Sequence, residues 1–555
     1  MKNIILCADG TGNKGGYGAD TNVYKVYKAV NIKNAKDKYG DKVEQITFYD
    51  QGVGTSESGG DSNKYFIALA EAFGFGFGFG TNVRQLYAFL ARNYEEGDSI
   101  YLFGFSRGAA TVRAVTGFID ACGLIDKTPF DDLSNGFNEK NFWIKVNEAF
   151  DCYKSYDKQQ QGAFKKGADT IKKTEDGDLK IKFIGVWDTV SALGFPHNTI
   201  VSRLYDPMHD FIERSVTGES TEEFNSRKKL ERLGGSLLGK VFDCLSYRFY
   251  NYKLTSGIEN AYHALSIDDE RKTFKPLVWD EKDFKGDDVK QVWFAGVHSN
   301  VGGGYPRTGM SDVALQWMMT KAEALGLVFY DDQKTAIKES TNVHDKLYDS
   351  RDGVALYYRY GPRNLQELCH GKLKGKITLH DSVYEKITRN SSDPYTPDGL
   401  PMVFNIVNTG ETKETPVTVS NEGSWGFEDE EMKATIMYRK TLYVTFVGLT
   451  IVMLLFSGKF WMYPEWLGEQ PSCITHPYLA HIVDFLNYLT PVYFENFITY
   501  VVCVNPWSLI MLLSPLLVMY VLRNQFTKEL DDICRKKNAL YTETPIAENL
   551  ENVTR

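Results

Sequence analysis

One pentapeptide, Gly104-Phe105-Ser106-Arg107-Gly108, constrains the fold of this chain more than any other feature. It follows a charged turn at Asp98-Ser99 and an apolar run from Ile100 to Phe103, and it precedes a helix-forming stretch from Ala109 to Val115. A G-x-S-x-G turn between a strand and a helix reads as a nucleophile elbow. The turn is tight, and a side chain at either flank would collide with the neighbouring strand or helix, so both flanks are glycine. The serine oxygen then sits at the top of a sheet and at a helix N-terminus, where positive partial charge favours a developing oxyanion. The competing reading is an ordinary serine in a glycine-flanked turn.

A serine nucleophile needs a base, and the base needs an orienting carboxylate. Two further strand ends supply them in the chain order of α/β hydrolases, serine, then acid, then histidine. Ile184-Gly185-Val186-Trp187-Asp188-Thr189-Val190 ends an apolar strand in an acid, and Phe294-Ala295-Gly296-Val297-His298 ends another in a histidine, followed by the glycine-rich Gly302-Gly303-Gly304. Functional residues of open α/β sheets gather at the carboxyl ends of strands, which suits both positions. The rival base is His263, in Ala261-Tyr262-His263-Ala264-Leu265, where a packing or pocket-wall role is favoured. The expected oxyanion donors are the backbone N–H of Arg107, after the nucleophile, and that of Gly10 or Thr11 in Asp9-Gly10-Thr11-Gly12-Asn13, after the first strand. D-G-T also occurs in aspartyl phosphatases, but Cys7 stands where their nucleophilic acid would be.

The front half alternates strands, at 3–8, 45–50, 99–104, 181–187 and 291–295, with helices, at 83–94, 107–121 and 311–324. That is the pattern of a mostly parallel α/β sheet. Segments 198–253 and 331–398 read as insertions. The repeat Phe73-Gly74-Phe75-Gly76-Phe77-Gly78-Phe79-Gly80 reads equally as an apolar flap for acyl chains or as a loop packed on the core. The 555 residues exceed what one core requires, which suggests several domain-sized units. The balance of 63 Lys and Arg against 72 Asp and Glu, with no basic stripe, argues against a nucleic-acid partner. The eight cysteines are scattered without a C-x-x-C pair, so neither a zinc knuckle nor a disulfide framework is expected, and a reducing compartment fits the main domain. No metal or cofactor is called for. The N-terminal apolar run is too short for a signal-peptide core and reads as a buried strand.

Two apolar segments near the C-terminus, 441–456 with a weaker continuation through 460–463, and 497–522, each supply the ~20 residues that a membrane-crossing helix needs. Trp461, Tyr463, Tyr493, Phe494 and Tyr500 stand at their ends as an interfacial belt. Arg439 and Lys440 precede the first, and Arg523, Lys528, Arg535, Lys536 and Lys537 follow the second, whereas the connecting loop holds only Lys459. By the positive-inside rule the catalytic domain and the C-terminus face the cytoplasm, giving a two-span hairpin. The expected organisation is a catalytic domain over 1–410, a linker over 411–438, the hairpin over 439–523 and a charged tail over 524–555. A pair of core helices is the competing reading of the two segments.

Taken in order, D-G-T-x-N, Thr21-Asn22-Val23, the G-V-G-T turn, G-F-S-R-G-A, G-V-W-D-T-V and G-V-H-S-x-V-G-G-G-Y resemble the bacterial and fungal α/β-hydrolase family that includes the type VI secretion phospholipase effectors. The resemblance covers about residues 1–310. It implies a phospholipase or related lipid esterase with Ser106 as nucleophile, Asp188 as acid and His298 as base. Asn300 stands where the family commonly has Asp, which alters local charge or any ion site there. The shared motifs do not imply the hairpin, which fits a simple secreted toxin poorly. An antibacterial effector or a defence phospholipase acting on its own membrane both fit, with a phospholipid membrane as partner and a delivery, immunity or activating protein in either setting. Oligomerisation stays open. The other readings are an esterase or thioesterase for a non-lipid substrate, and a membrane scaffold whose hydrolase domain only binds.

Overall fold

A computed structural model describes residues 1–37, 39–52, 78–132, 136–155, 157–167, 171–172, 179–191, 252–282, 284, 286, 288–388, 395–410, 414–419, 430–462, 481, 483–484, 495–500, 502 and 506–542. Two units result, one comprising 1–352, 362–421 and 544–555, the other 353–361 and 422–543.

The first unit is built on a nine-stranded sheet of β1 (Lys2–Ala8), β2 (Glu44–Asp50), β3 (Ser99–Phe105), β4 (Phe183–Trp187), β5 (Asn260–Ser266), β6 (Asp288–Phe294), β7 (Thr378–His380), β8 (Val403–Val407) and β9 (Thr415–Thr418). Their order across the sheet is β9-β8-β7-β6-β5-β4-β3-β1-β2. All neighbours are parallel except β8 and β9, so the sheet is mixed and mostly parallel. Strands buried on both faces must be apolar at every position rather than at alternate ones. Alternation instead decides which face a residue serves. Ile4 and Leu6 of β1 and Ile100 and Leu102 of β3 face one core, while Ile5, Cys7, Tyr101 and Phe103 face the other. Helices α2 (Phe79–Asn93) and α3 (Arg107–Cys122) cover the first face through Val83, Leu86, Val112 and Phe118. Helices α1 (Asn22–Ala29) and α5 (Gly309–Ala324) cover the second through Val23, Val26, Trp317 and Met318. A short helix α4 (His298–Gly302) lies between β6 and α5.

The chain runs from β1 outward to β2, then crosses back to β3 on the other side of β1. The reversal leaves a crevice at the carboxyl ends of β1 and β3, the usual place for a ligand in an open α/β sheet.

The front-half elements fall within a few residues of their expected bounds. Two expectations need correction. The stretch 331–398 is not simply an insertion, because Thr378–His380 is a sheet strand paired with both β6 and β8. Three residues carry no readable periodicity, which hid it. Within the stretch read as a linker, Thr415–Thr418 closes the sheet as its antiparallel edge. Residues 192–251, which make up most of the other expected insertion, and residues 53–77, with the start of the Phe-Gly repeat, lie outside the described residues. The last phenylalanine of that repeat, Phe79, opens α2 and is fully buried in the core.

In the second unit, α6 (Glu430–Met462) packs on α7 (Pro506–Thr542). Met432 and Ile436 cluster with Leu530, Ile533 and Cys534, and Tyr438 stacks on Phe526 at 5.5 Å between ring centres. Contacts that advance along α6 recede along α7, so the pair is antiparallel. Among the described residues one helical stretch, Glu430–Met453, is long and apolar enough to cross a membrane, with mean hydropathy 1.2. The second expected span holds the end of a short helix, Glu495–Thr499, and the start of α7, and 501 and 503–505 fall outside the described residues.

Candidate active site

The elbow is visible in the backbone. Ser106 stands between β3 and α3 at φ 58° and ψ −122°, a left-handed conformation that costs a non-glycine residue roughly 1–3 kcal/mol and persists only where its surroundings enforce it. The surroundings do. Ser106 N–H donates to Trp187 O at 3.1 Å, and the Ser106 carbonyl accepts from Val190 N–H at 3.4 Å. A Cβ on Gly104 would stand 2.6 Å from Ala109 Cα, and one on Gly108 would stand 2.1 Å from Ala8 O, so neither flank tolerates a side chain. Arg107 is the first residue of α3, at the positive end of the helix.

The loop after β1 lies against the serine, since a Cβ on Gly10 would be 3.1 Å from Ser106 Cβ. Asp9 shapes this loop. Its buried carboxylate accepts from Gly10 N–H at 2.7 Å and from Thr21 Oγ1 and Tyr49 Oη, each at 2.6 Å. Burial pushes its pKa up to about 6 against those three donors. The geometry corrects one expectation, because the Gly10 N–H is spent on Asp9 and is not aimed at a substrate. At Thr11, the other expected backbone donor, the side-chain Oγ1 is buried with no hydrogen-bond partner among the described residues.

Asp188 follows β4 at φ 39°, fully buried. Its Oδ2 lies 2.5 Å from His298 Nδ1. A buried ionised carboxylate can only accept, so Nδ1 carries the proton and Nε2 presents a lone pair. That Nε2 is buried and has no hydrogen-bond partner among the described residues, Ser106 included. Serine–histidine bonds are often long in the absence of substrate and tighten as the reaction complex forms. The imidazole is held between Phe105 at 4.6 Å and Phe274 at 5.1 Å, and the backbone N–H of His298 donates to Asp269 Oδ2 at 3.2 Å. Since Phe105 precedes Ser106, the elbow itself packs the histidine ring. Burial lowers the pKa of His298, partly opposed by Asp188.

The T-N-V and G-G-G motifs hold these loops together. Thr21 caps α1 by accepting from Tyr24 N–H, and Asn22 donates to Val301 O and Ser311 O, each at 2.9 Å. Gly303 (φ 84°) comes so near that a Cβ would be 2.7 Å from Asn22 N. Asn300 is a latch. Its Nδ2 donates to Lys346 O at 3.0 Å, and its Oδ1 accepts from Val297 and Tyr348 N–H. His263 faces elsewhere. It is fully buried, its Nε2 accepts from Thr189 N–H at 3.2 Å, and burial pushes its pKa down to about 3, so it stays neutral.

Sequence reasoning missed Arg363. Its guanidinium forks onto Asp188, Nη1 to Oδ1 at 2.7 Å and Nη2 to Oδ2 at 2.8 Å. Burial alone would raise the carboxyl pKa of Asp188, but Arg363 and His298 hold it far below the usual carboxylate range. Arg363 stands in a Tyr360-Gly361-Pro362-Arg363-Asn364 loop with no motif around it, so no local signal pointed to it.

The site thus stands on a mostly parallel α/β sheet, with Ser106 in the strand-to-helix turn at its reversal point. The chain belongs to the family described as T6SS, Phospholipase effector Tle1-like, catalytic domain, which matches residues 2–321. It is 32% identical over 207 residues to an uncharacterized protein of Saccharomyces cerevisiae, YEL023C, covering 35% of this chain and 27% of that protein. The chain thus spans about a quarter of the length of this curated relative. A crystal structure of an uncharacterized protein from Pseudomonas aeruginosa aligns with 64% of this chain and 50% of its own, at 16% identity and a TM-score of 0.29.

Proposed function

We propose that this chain is a membrane-anchored serine hydrolase that cleaves acyl esters of glycerophospholipids through Ser106, His298 and Asp188. The observation that carries the reading is the buried His298–Asp188 pair with its unpaired Nε2, set beside a strained serine elbow at the reversal of the sheet. Family membership supplies the phospholipid class of substrate.

His298 Nε2 takes the Ser106 proton as Oγ bonds to the ester carbonyl carbon. The carbonyl oxygen becomes an oxyanion held by the Arg107 N–H, with Thr11 as second donor. The intermediate collapses, the ester C–O bond breaks, and the imidazolium returns its proton to the departing lysophospholipid oxygen. Water, deprotonated by the same Nε2, then attacks the acyl-enzyme and releases a fatty acid. Asp188 keeps the proton on Nδ1 and stabilises the imidazolium without itself being protonated.

Antiparallel α6 and α7 serve as the two-span anchor. In support, Val444, Val452, Leu455, Leu517 and Val518 are more than half exposed, an apolar exterior suited to lipid rather than water. Arg439 and Lys440 before the first span and Arg523 after the second favour termini on the cytoplasmic side. Anchoring raises the effective concentration of lipid at the enzyme without adding a contact. Membership of an effector family makes an immunity or delivery protein the natural class of partner.

The test is mass spectrometry of the full chain after treatment with a fluorophosphonate. An adduct on the Ser106 peptide, absent when His298 is changed to Ala, supports the reading. An unmodified Ser106 overturns the serine mechanism and leaves a binding role.

A further inference from the structure

We propose that Arg363 is a positioning residue for the catalytic acid, fixing the Asp188 carboxylate in the plane and charge state in which it orients His298. The proposal rests on the Ser-His-Asp reading above.

A lone buried carboxylate is costly, and an imidazole Nδ1–H together with one backbone N–H, from Ser266 at 3.0 Å, leaves much of its charge unanswered. Arg363 answers the rest. A planar guanidinium matches a carboxylate in two parallel bonds, and this fork leaves Oδ2 turned to the histidine. The guanidinium is itself held in place. Nη1 also donates to Ser266 O and Oγ, each at 2.6 Å, and Nη2 donates to Phe274 O at 2.6 Å. Among the described residues its Nε has no partner. Ser266 ends β5 and Phe274 packs on the His298 ring, so one side chain ties together the acid, a strand end and the wall of the histidine pocket. Arg363 lies beyond residues 2–321, so the part of the chain after the family match supplies a piece of the site.

Arg271 and Asp269 also bear on His298, with opposite signs, and the Arg363 guanidinium adds to the balance through the shared Asp188 carboxylate. A positive charge that shares the carboxylate with His298 disfavours the imidazolium. Removing it lets His298 draw on the whole of the Asp188 charge, so the pH at which the histidine becomes an active base rises. A lysine keeps the charge but cannot fork, so it preserves the electrostatic effect and loses the orientation.

The experiment compares wild type, Arg363→Gln and Arg363→Lys as full chains in detergent. It reads the rate of fluorophosphonate adduct formation at Ser106 from mildly acidic to mildly alkaline pH, with thermal unfolding measured in parallel. The expected result is a loss of about a hundredfold for Arg363→Gln with its rising pH limb moved upward, and for Arg363→Lys a smaller loss with the limb in its wild-type place. Should Arg363→Gln not fold, the lysine variant decides, since a wild-type rate there overturns the fork. A wild-type rate and limb in the Gln variant overturn the proposal. Slowing that tracks lost thermal stability, with the limb unmoved and no recovery by lysine, overturns it in favour of a purely structural role. If wild-type Ser106 is not labelled at all, the Ser-His-Asp reading fails first, an outcome distinct from all of these.

Discussion

Individual residues in this site are fixed by geometry that leaves little tolerance. Gly108 is the sharpest case. A methyl group there would fall on the Ala8 carbonyl, a backbone atom that cannot rotate away. Gly108→Ala should therefore destabilise the fold by about 1–3 kcal/mol or more, read as a lowered Tm, together with loss of activity. A stable, active Gly108→Ala variant would mean that the elbow is looser than described. His298 makes a prediction about pH. Its burial lowers its pKa below the ordinary 6.5, and in the proposed mechanism the ring must be neutral to accept the Ser106 proton. The rising limb of kcat/KM should thus be half-complete below pH 6.5, and a limb above that value would contradict the environment assigned to the ring.

At the scale of elements, the ends of β1 and β2 carry a cost. Asp50, the last residue of β2, is buried, and that burial pushes its pKa up to about 7 from 3.8. The folded state holds its proton where the unfolded chain has released it, so stability falls as pH rises from about 4 to about 7 and is then level. Asp50→Asn removes this dependence, and its Tm advantage over wild type should widen across that interval; a constant difference would show that Asp50 has a compensating partner. Legibility in the sequence also differs by element. Strands β1 to β4 and β6 and helices α2, α3 and α5 announced themselves through apolar runs and helical spacing, and the elbow, Asp188 and His298 through strand-end motifs. The strand around His263 went unread although its residues are all buried. Tyr262, His263 and Ser266 interrupt its apolar run, and each finds its polar partner only in the folded sheet. Strand β7 was too short to show a period, and Arg363 acts across 175 positions of sequence from Asp188, where no local pattern reaches. The commitment of the Gly10 N–H to Asp9 was equally invisible, since D-G-T shows which groups are present and not where they point.

At the scale of the whole molecule, the central issue is a hydrolase unit joined to an apolar helix pair. If that pair lies in a bilayer, Val452→Arg places a charge on the exposed face of α6 at a cost of about 2.5–3.5 kcal/mol. The variant should then be released by alkaline carbonate washing while the wild type stays with the membrane pellet. Release of the wild type under the same wash would remove the anchor from the account. The most direct measurement of the central claim is fatty-acid release from phospholipid vesicles by the full chain and by Ser106→Ala. The account predicts equimolar fatty acid and lysophospholipid from the wild type and neither from the variant. Equal release by both, or release of a phosphorylated headgroup in place of a fatty acid, would contradict it.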